Sequence, residues 1–156
     1  TNYSIADAKV YTTRHGYALD TFHVFVPEHH DGDYRDMINF IEFELAASLA
    51  EDKPLQLPPP GRISRHLKHF PITPQVSMRP DDRDSAFVLS IVAGDRPGLL
   101  ARIAKVLADY RLDVQSAKIM TLGSRAEDSF LIRGAALKDD KTALALETAL
   151  IAALRV

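Results

Sequence analysis

Asp95-Arg96-Pro97-Gly98 stands at the mouth of an apolar stretch in which Leu99, Leu100, Ile103, Val106, Leu107 and Tyr110 share one helical face. Proline has a φ suited to a first helical turn, where its missing N–H is no loss. Asp95 can cap free amides and complement the helix dipole. Gly98 carries no side chain, so another backbone or a ligand can come close. Amides near Gly98 and Leu99 form a donor-rich helix start that suits a carboxylate. Two readings stand side by side. The residues Asp95, Arg96, Pro97, Gly98, Leu99 and Leu100 only begin a helix, or they bind a small anion-bearing molecule.

Other chemistry-bearing residues carry less. Adjacent side chains such as His29-His30-Asp31 diverge on a loop and read as a solvated turn rather than a metal site. Arg62, Arg65, His66, Lys68 and His69 form a basic segment that could contact RNA or an acidic partner. In a chain of net charge -2, such a segment more simply packs on an acidic surface of its own protein. No nucleic-acid partner is expected. Asp20 and Asp128 recur before Thr21-Phe22 and Ser129-Phe130, as paired acids or, more simply, as a shared turn or partner interaction. Lys9 and Lys118 recur likewise, and one could pair with an acid of a neighbouring strand. No carboxylate pair has a Gly-Ser signature beside it, no His-Asp metal spacing appears, and cysteine is absent. No catalytic residue, metal site or cofactor is therefore expected in this chain, and thiolate chemistry and disulfides are excluded.

The elements that position these residues come in two copies. Ala8-Lys9-Val10 matches Ala117-Lys118-Ile119 and Thr12 matches Thr121, while Asp20-Thr21-Phe22 matches Asp128-Ser129-Phe130 with one residue fewer between. A one-residue change is cheap in a hairpin tip and costly in a strand, where it turns every side chain to the other face. Two hairpins are thus predicted, with tips at Arg14-His15-Gly16 and Gly123-Ser124. A helix follows each. The first starts at Asp33 as N-cap and carries Met37, Ile38, Ile41, Leu45 and Leu49, and the second carries Leu146, Leu150, Ile151 and Leu154.

Residues 85–93 read as a buried strand leading through Asp95–Gly98 into a crossover helix. The second unit is then strand, helix, strand, strand, helix: the ferredoxin-like order short of its last strand. "QVSM", residues 75–78, can fill that edge from the front, antiparallel to 85–93, or can close the first unit's sheet instead. The expected organisation is a partial first module at 1–52 (strand, strand, helix), a Pro-rich basic linker at 53–74, and a second module at 75–156. The linker holds six of the nine prolines and reads as extended. The first module lacks a counterpart of 85–111 ahead of Tyr3, so the chain reads as a piece of a longer protein. Its open hairpin edge and half-covered helix point to a homodimer in which modules complete each other's sheets, the alternative being that the two units of one chain cover each other across the linker as a monomer.

Composition agrees with a packed α+β protein, at 46% hydrophobic residues. No apolar run approaches the length of a membrane span, and residues 1–10 show neither a basic start nor an apolar core of a signal peptide. A cytoplasmic location without membrane contact is expected.

The stretch "AGDRPGLLARIAKVLADYRLDVQSAKIMTLGSRAEDSFLI" resembles an ACT domain, a small amino-acid-binding regulatory module, with Asp95-Arg96-Pro97-Gly98-Leu99-Leu100 as its most recognisable part. Arg65-His66-Leu67-Lys68-His69-Phe70-Pro71, "AKVYTTRHGYALDTFHV" and "SRAEDSFLI" together are similar to the C-terminal tandem ACT tail of the uridylyltransferase/uridylyl-removing family that acts on PII signalling proteins. The resemblance implies two ferredoxin-like modules, each an antiparallel sheet with helices on one face, the first lacking its first strand and helix. It implies regulation of nitrogen signalling by an amino acid, glutamine, rather than catalysis. Catalytic domains using Mg would lie upstream, with PII protein as partner. A module that has kept only a structural or protein-interaction role is the alternative.

Overall fold

The computed structural model describes residues 4–25, 34–51, 57–58, 65–82 and 85–155. Strands β1 (Ser4–Thr12) and β2 (Ala18–Phe25) form the first hairpin, followed by helix α1 (Tyr34–Ala50). A short helix α2 (Arg65–His69) leads to β3 (Gln75–Pro80) and β4 (Phe87–Gly94). Helix α3 (Leu99–Asp109), strands β5 (Asp113–Leu122) and β6 (Arg125–Arg133), and helix α4 (Asp140–Leu154) complete the chain. All six strands share one sheet in the order β2-β1-β5-β6-β4-β3, and every pairing is antiparallel.

Each element follows from its local sequence. β4 and β6 alternate buried and half-buried residues at period two, so one face carries Leu89, Ile91, Ala93, Phe130 and Ile132. Leu99, Ile103 and Leu107 of α3 and Leu146, Leu150 and Leu154 of α4 return every three or four residues and pack on that face. Asp139 caps α4, its carboxylate accepting from the Thr142 N–H at 2.9 Å and the Thr142 hydroxyl at 2.6 Å. These two bonds hold the Asp139 carboxyl below its usual range.

β3 fills the outer edge beside β4, with Gln75 opposite Val92 and Pro80 opposite Phe87. It is two residues longer than "QVSM" and does not join the first unit. The two units do not form separate sheets, because β1 pairs with β5 in the same chain. That seam has a local twofold symmetry. Ala8 faces Ile119, Val10 faces Ala117, and Lys9 faces its own repeat partner Lys118. The Thr12 hydroxyl donates to the Val114 carbonyl at 2.7 Å, and the matching Thr121 hydroxyl donates to the Ile5 carbonyl at 3.2 Å. Both hairpins also shift register at matching places, Ile5/Asp7 and Val114/Ser116. The pairing of Lys9 with Lys118 replaces the expected pairing with an acid.

Coverage separates the two units. Phe130 is 4% exposed, whereas its counterpart Phe22 is 46% exposed; Ile132 is 0% exposed and Val24 37%. In the second unit β4, α3 and α4 cover these positions, and among the described residues nothing equivalent to β4 lies outside β2. The α1 stripe is likewise open: no α1 residue is buried, and only Met37 and Ile41 are half-buried. The Asp33 cap and the His29-His30-Asp31 turn lie outside the described residues. The 53–74 segment is not extended throughout. Residues 65–69 hold no proline and make α2, whose buried Leu67 lies so close to Gly94 that a Cβ there would meet Leu67 Cδ1 at 2.6 Å. His66 and Phe70 stack one turn apart at 5.2 Å.

Candidate functional site

The turn between β4 and α3 is held at both ends. The Asp95 N–H donates to the Ser124 carbonyl at 2.8 Å, tying it to the β5–β6 tip. The Arg96 guanidinium donates through Nη2 to the Ala153 carbonyl at 2.7 Å, in the last turn of α4. A cation at that end also complements the helix dipole. Arg96 Nε is buried with no partner among the described residues. Arg96 therefore reaches α4 and ties the turn to it, while burial and nearby Arg102 lower its pKa.

The helix start differs from the sequence expectation. α3 begins at Leu99, with Gly98 as N-cap at φ 78 and no side-chain cap bond. Asp95 does not cap, and Pro97 stands ahead of the helix rather than in its first turn. The left-handed Gly98 redirects the chain, a conformation other side chains resist. The Leu99 amide is used within the turn, donating to the Arg96 carbonyl at 3.1 Å. The first helical bond runs from the Arg102 N–H to the Gly98 carbonyl at 3.1 Å. Donors ahead of it are the amides of Leu100 and Ala101, two positions later than the Gly98–Leu99 pair expected. Pro58 covers the turn, since a Cβ on Gly98 would meet its Cγ at 2.9 Å.

A further residue belongs to this place. Asp128 on β6 lies opposite Ile91 of β4 and is 4% exposed, the one polar side chain in the buried set among the described residues. Burial pushes its carboxyl up to about 6, and the Asp95 charge adds to that rise. The Met120 N–H donates to it at 3.4 Å and opposes the shift only weakly. Asp95 is also raised, by burial, with the Arg96 amide opposing. The Asp95 charge thus adds to the cost of ionising Asp128, so the two carboxylates are electrostatic neighbours near the end of β4. Such a pair gains from a cation between them, and the nearby amides gain from an anion. A zwitterion supplies both.

The recurrence of Asp20 and Asp128 points to a shared turn or partner contact, whereas Asp128 is buried. The available signal was its parity: Ala126, Asp128 and Phe130 alternate onto one face, which places an acid among core residues. Asp20, its repeat counterpart, is exposed, because β2 has no outer neighbour among the described residues. Among the described residues no group of three or more His, Asp or Glu could hold a metal. No helix among the described residues is long and apolar enough to cross a membrane.

The chain was compared with known proteins. Residues 87–151 match the ACT domain family. A bifunctional uridylyltransferase/uridylyl-removing enzyme of Chromobacterium violaceum is 89% identical over 156 residues, covering 100% of this chain and 18% of that protein. Enzymes of the same name from Burkholderia mallei and Burkholderia pseudomallei are each 51% identical over 153 residues, or 98% of this chain and 18% of theirs. The chain thus spans under a fifth of the length of these relatives. No solved structure matches it. The matches agree with the fold on the strand-helix-strand-strand-helix unit: the chain carries an ACT domain and corresponds, along its whole length, to the C-terminal region of bifunctional uridylyltransferase/uridylyl-removing enzymes.

Proposed function

We propose that the chain is an amino-acid sensor that binds glutamine at the β4–α3 turn. The α-ammonium lies between Asp95 and Asp128, and the α-carboxylate meets the amides of Leu100 and Ala101. The observation that carries this reading is the buried Asp128, whose ionisation the charge of Asp95 at the β4–α3 turn opposes. Burying an acid without a cation is costly, so the site is incomplete without a ligand. Regulation follows only if glutamine binds two states of the enzyme differently. In this reading the chain acts on upstream catalytic domains of the same polypeptide, which attach uridylyl groups to PII protein and remove them. Those domains, their Mg and their partner lie outside this chain. A thermal-shift screen of the twenty amino acids tests the ligand: glutamine is expected to give the largest rise, and no rise with any amino acid contradicts the reading.

Two contacts favour the second reading, an ACT module with a structural role alone. Arg96 is committed to Ala153, and Pro58 lies over Gly98. Under that reading Arg96→Ala loosens the α4 end and no amino acid changes the melting temperature.

A further inference from the structure

The face of the sheet opposite α3 and α4 holds a hollow of about 310 Å³ at the seam between the two units. The strand register builds it in two rows. One row runs Val88, Leu131, Ser116, Tyr11 across β4, β6, β5 and β1, and the next runs Ser129, Lys118, Lys9. Lys9 and Lys118 stand directly opposite each other at the local twofold, and both are exposed. Like charges directly opposite on antiparallel strands destabilise the pair. Asp7 and Glu127, two residues along the strands from Lys9 and Ser129, have partners of their own. Asp7 is held by His23 Nδ1 at 2.6 Å, and Glu127 by Arg125 Nε at 2.5 Å. Neither lysine has an ion pair among the described residues.

Both copies of the repeat thus bring a lysine to the one position where the two must meet. We infer that Lys9 and Lys118 form an anion site on the face opposite α3 and α4, for a small organic dianion whose apolar body lies on Val88 and Leu131. Two ammonium groups supply charge-assisted bonds to a doubly charged head, and the Tyr11 and Ser129 hydroxyls add neutral ones. The walls are apolar enough to favour a phosphate ester or dicarboxylate with a carbon body over a bare inorganic ion. The site is separate from the β4–α3 turn, because Lys9 and Lys118 alternate away from the face that carries Ala8, Ile119 and the helices.

Phenyl phosphate, with phenol as the neutral control, tests the proposal by NMR titration and melting at low ionic strength. The expected result is shifts of β1 and β5 amides around Lys9 and Lys118 with phenyl phosphate and none with phenol. Lys9→Gln is expected to weaken binding roughly tenfold, and the Lys9→Gln/Lys118→Gln double variant to lose it. Without anion, Lys9→Gln should melt above the unsubstituted chain, because the repulsion is gone; saturating phenyl phosphate should reverse that order. A double variant that binds as tightly as the unsubstituted chain overturns the proposal. So do shifts confined to the α3 start, or binding of polyglutamate without phenyl phosphate, which would make this face an acidic-protein surface.

Discussion

Asp128 shows how one residue's neighbours set its chemistry. Its carboxyl is raised from 3.8 to about 6 in the folded chain. A raised acid contributes stability that is complete below the unfolded value and is lost as pH rises through the folded value. Between about pH 4 and pH 6 the chain should therefore lose on the order of 2–3 kcal/mol. Asp128→Asn keeps the acceptor for the Met120 N–H and removes the titration. Urea unfolding across that range should show the variant losing less stability than the unsubstituted chain and, at neutral pH, more stable than it; parallel pH profiles would contradict the assignment. Gly98→Val belongs to the same scale. It forces a branched residue to φ 78 and into Pro58, a strain of about 1–2 kcal/mol before the clash. Calorimetry should find glutamine binding abolished while circular dichroism keeps the fold, and unchanged affinity would remove the turn from the site. The Asp-Arg-Pro-Gly turn was legible because its residue types are unusual together. The roles of Asp95 and Arg96 were not, since they depend on Ser124 and Ala153, far along the chain.

At the scale of elements, matched strand positions make a controlled comparison. Phe130 and Phe22 occupy the same place in the two hairpins but differ tenfold in exposure, 4% against 46%. Phe130→Ala should cost about 3–5 kcal/mol and Phe22→Ala less than about 1, read by chemical denaturation. Equal costs would mean that the first hairpin is covered as well as the second. The hairpins, the crossover helix and the edge strand could be read locally, because period-two and helical spacings state which face is apolar. Which edges meet could not. β1–β5 pairing depends on residues over a hundred positions apart, such as Thr12 and Val114, and no local pattern records it. The α1 stripe misled for the same reason: Leu45 and Leu49 have helical spacing, but burial needs a partner surface that the described chain does not bring to them.

On the scale of the whole molecule, one continuous sheet puts two kinds of surface on opposite faces: a covered face with the β4–α3 turn, and an open face with the paired lysines. The β2 edge and exposed α1 residues such as Phe43, at 69%, resemble surfaces that pair with another chain. β5 already takes the β1 edge, so a homodimer would form through β2 and α1. Light scattering at micromolar concentration should give a dimer mass, and a monomer mass would end that proposal. The central claim, that this fold senses an amino acid through Asp95 and Asp128, rests on charge and is therefore pH-dependent. Protonating Asp128 removes half of the ammonium's partner. Glutamine titration by calorimetry at about pH 8 and pH 5, on the unsubstituted chain and on Asp128→Asn, measures it directly. The account predicts binding at the higher pH that weakens roughly tenfold at the lower, and weak binding by the variant at both. Equal affinity of chain and variant at both pH values would contradict it.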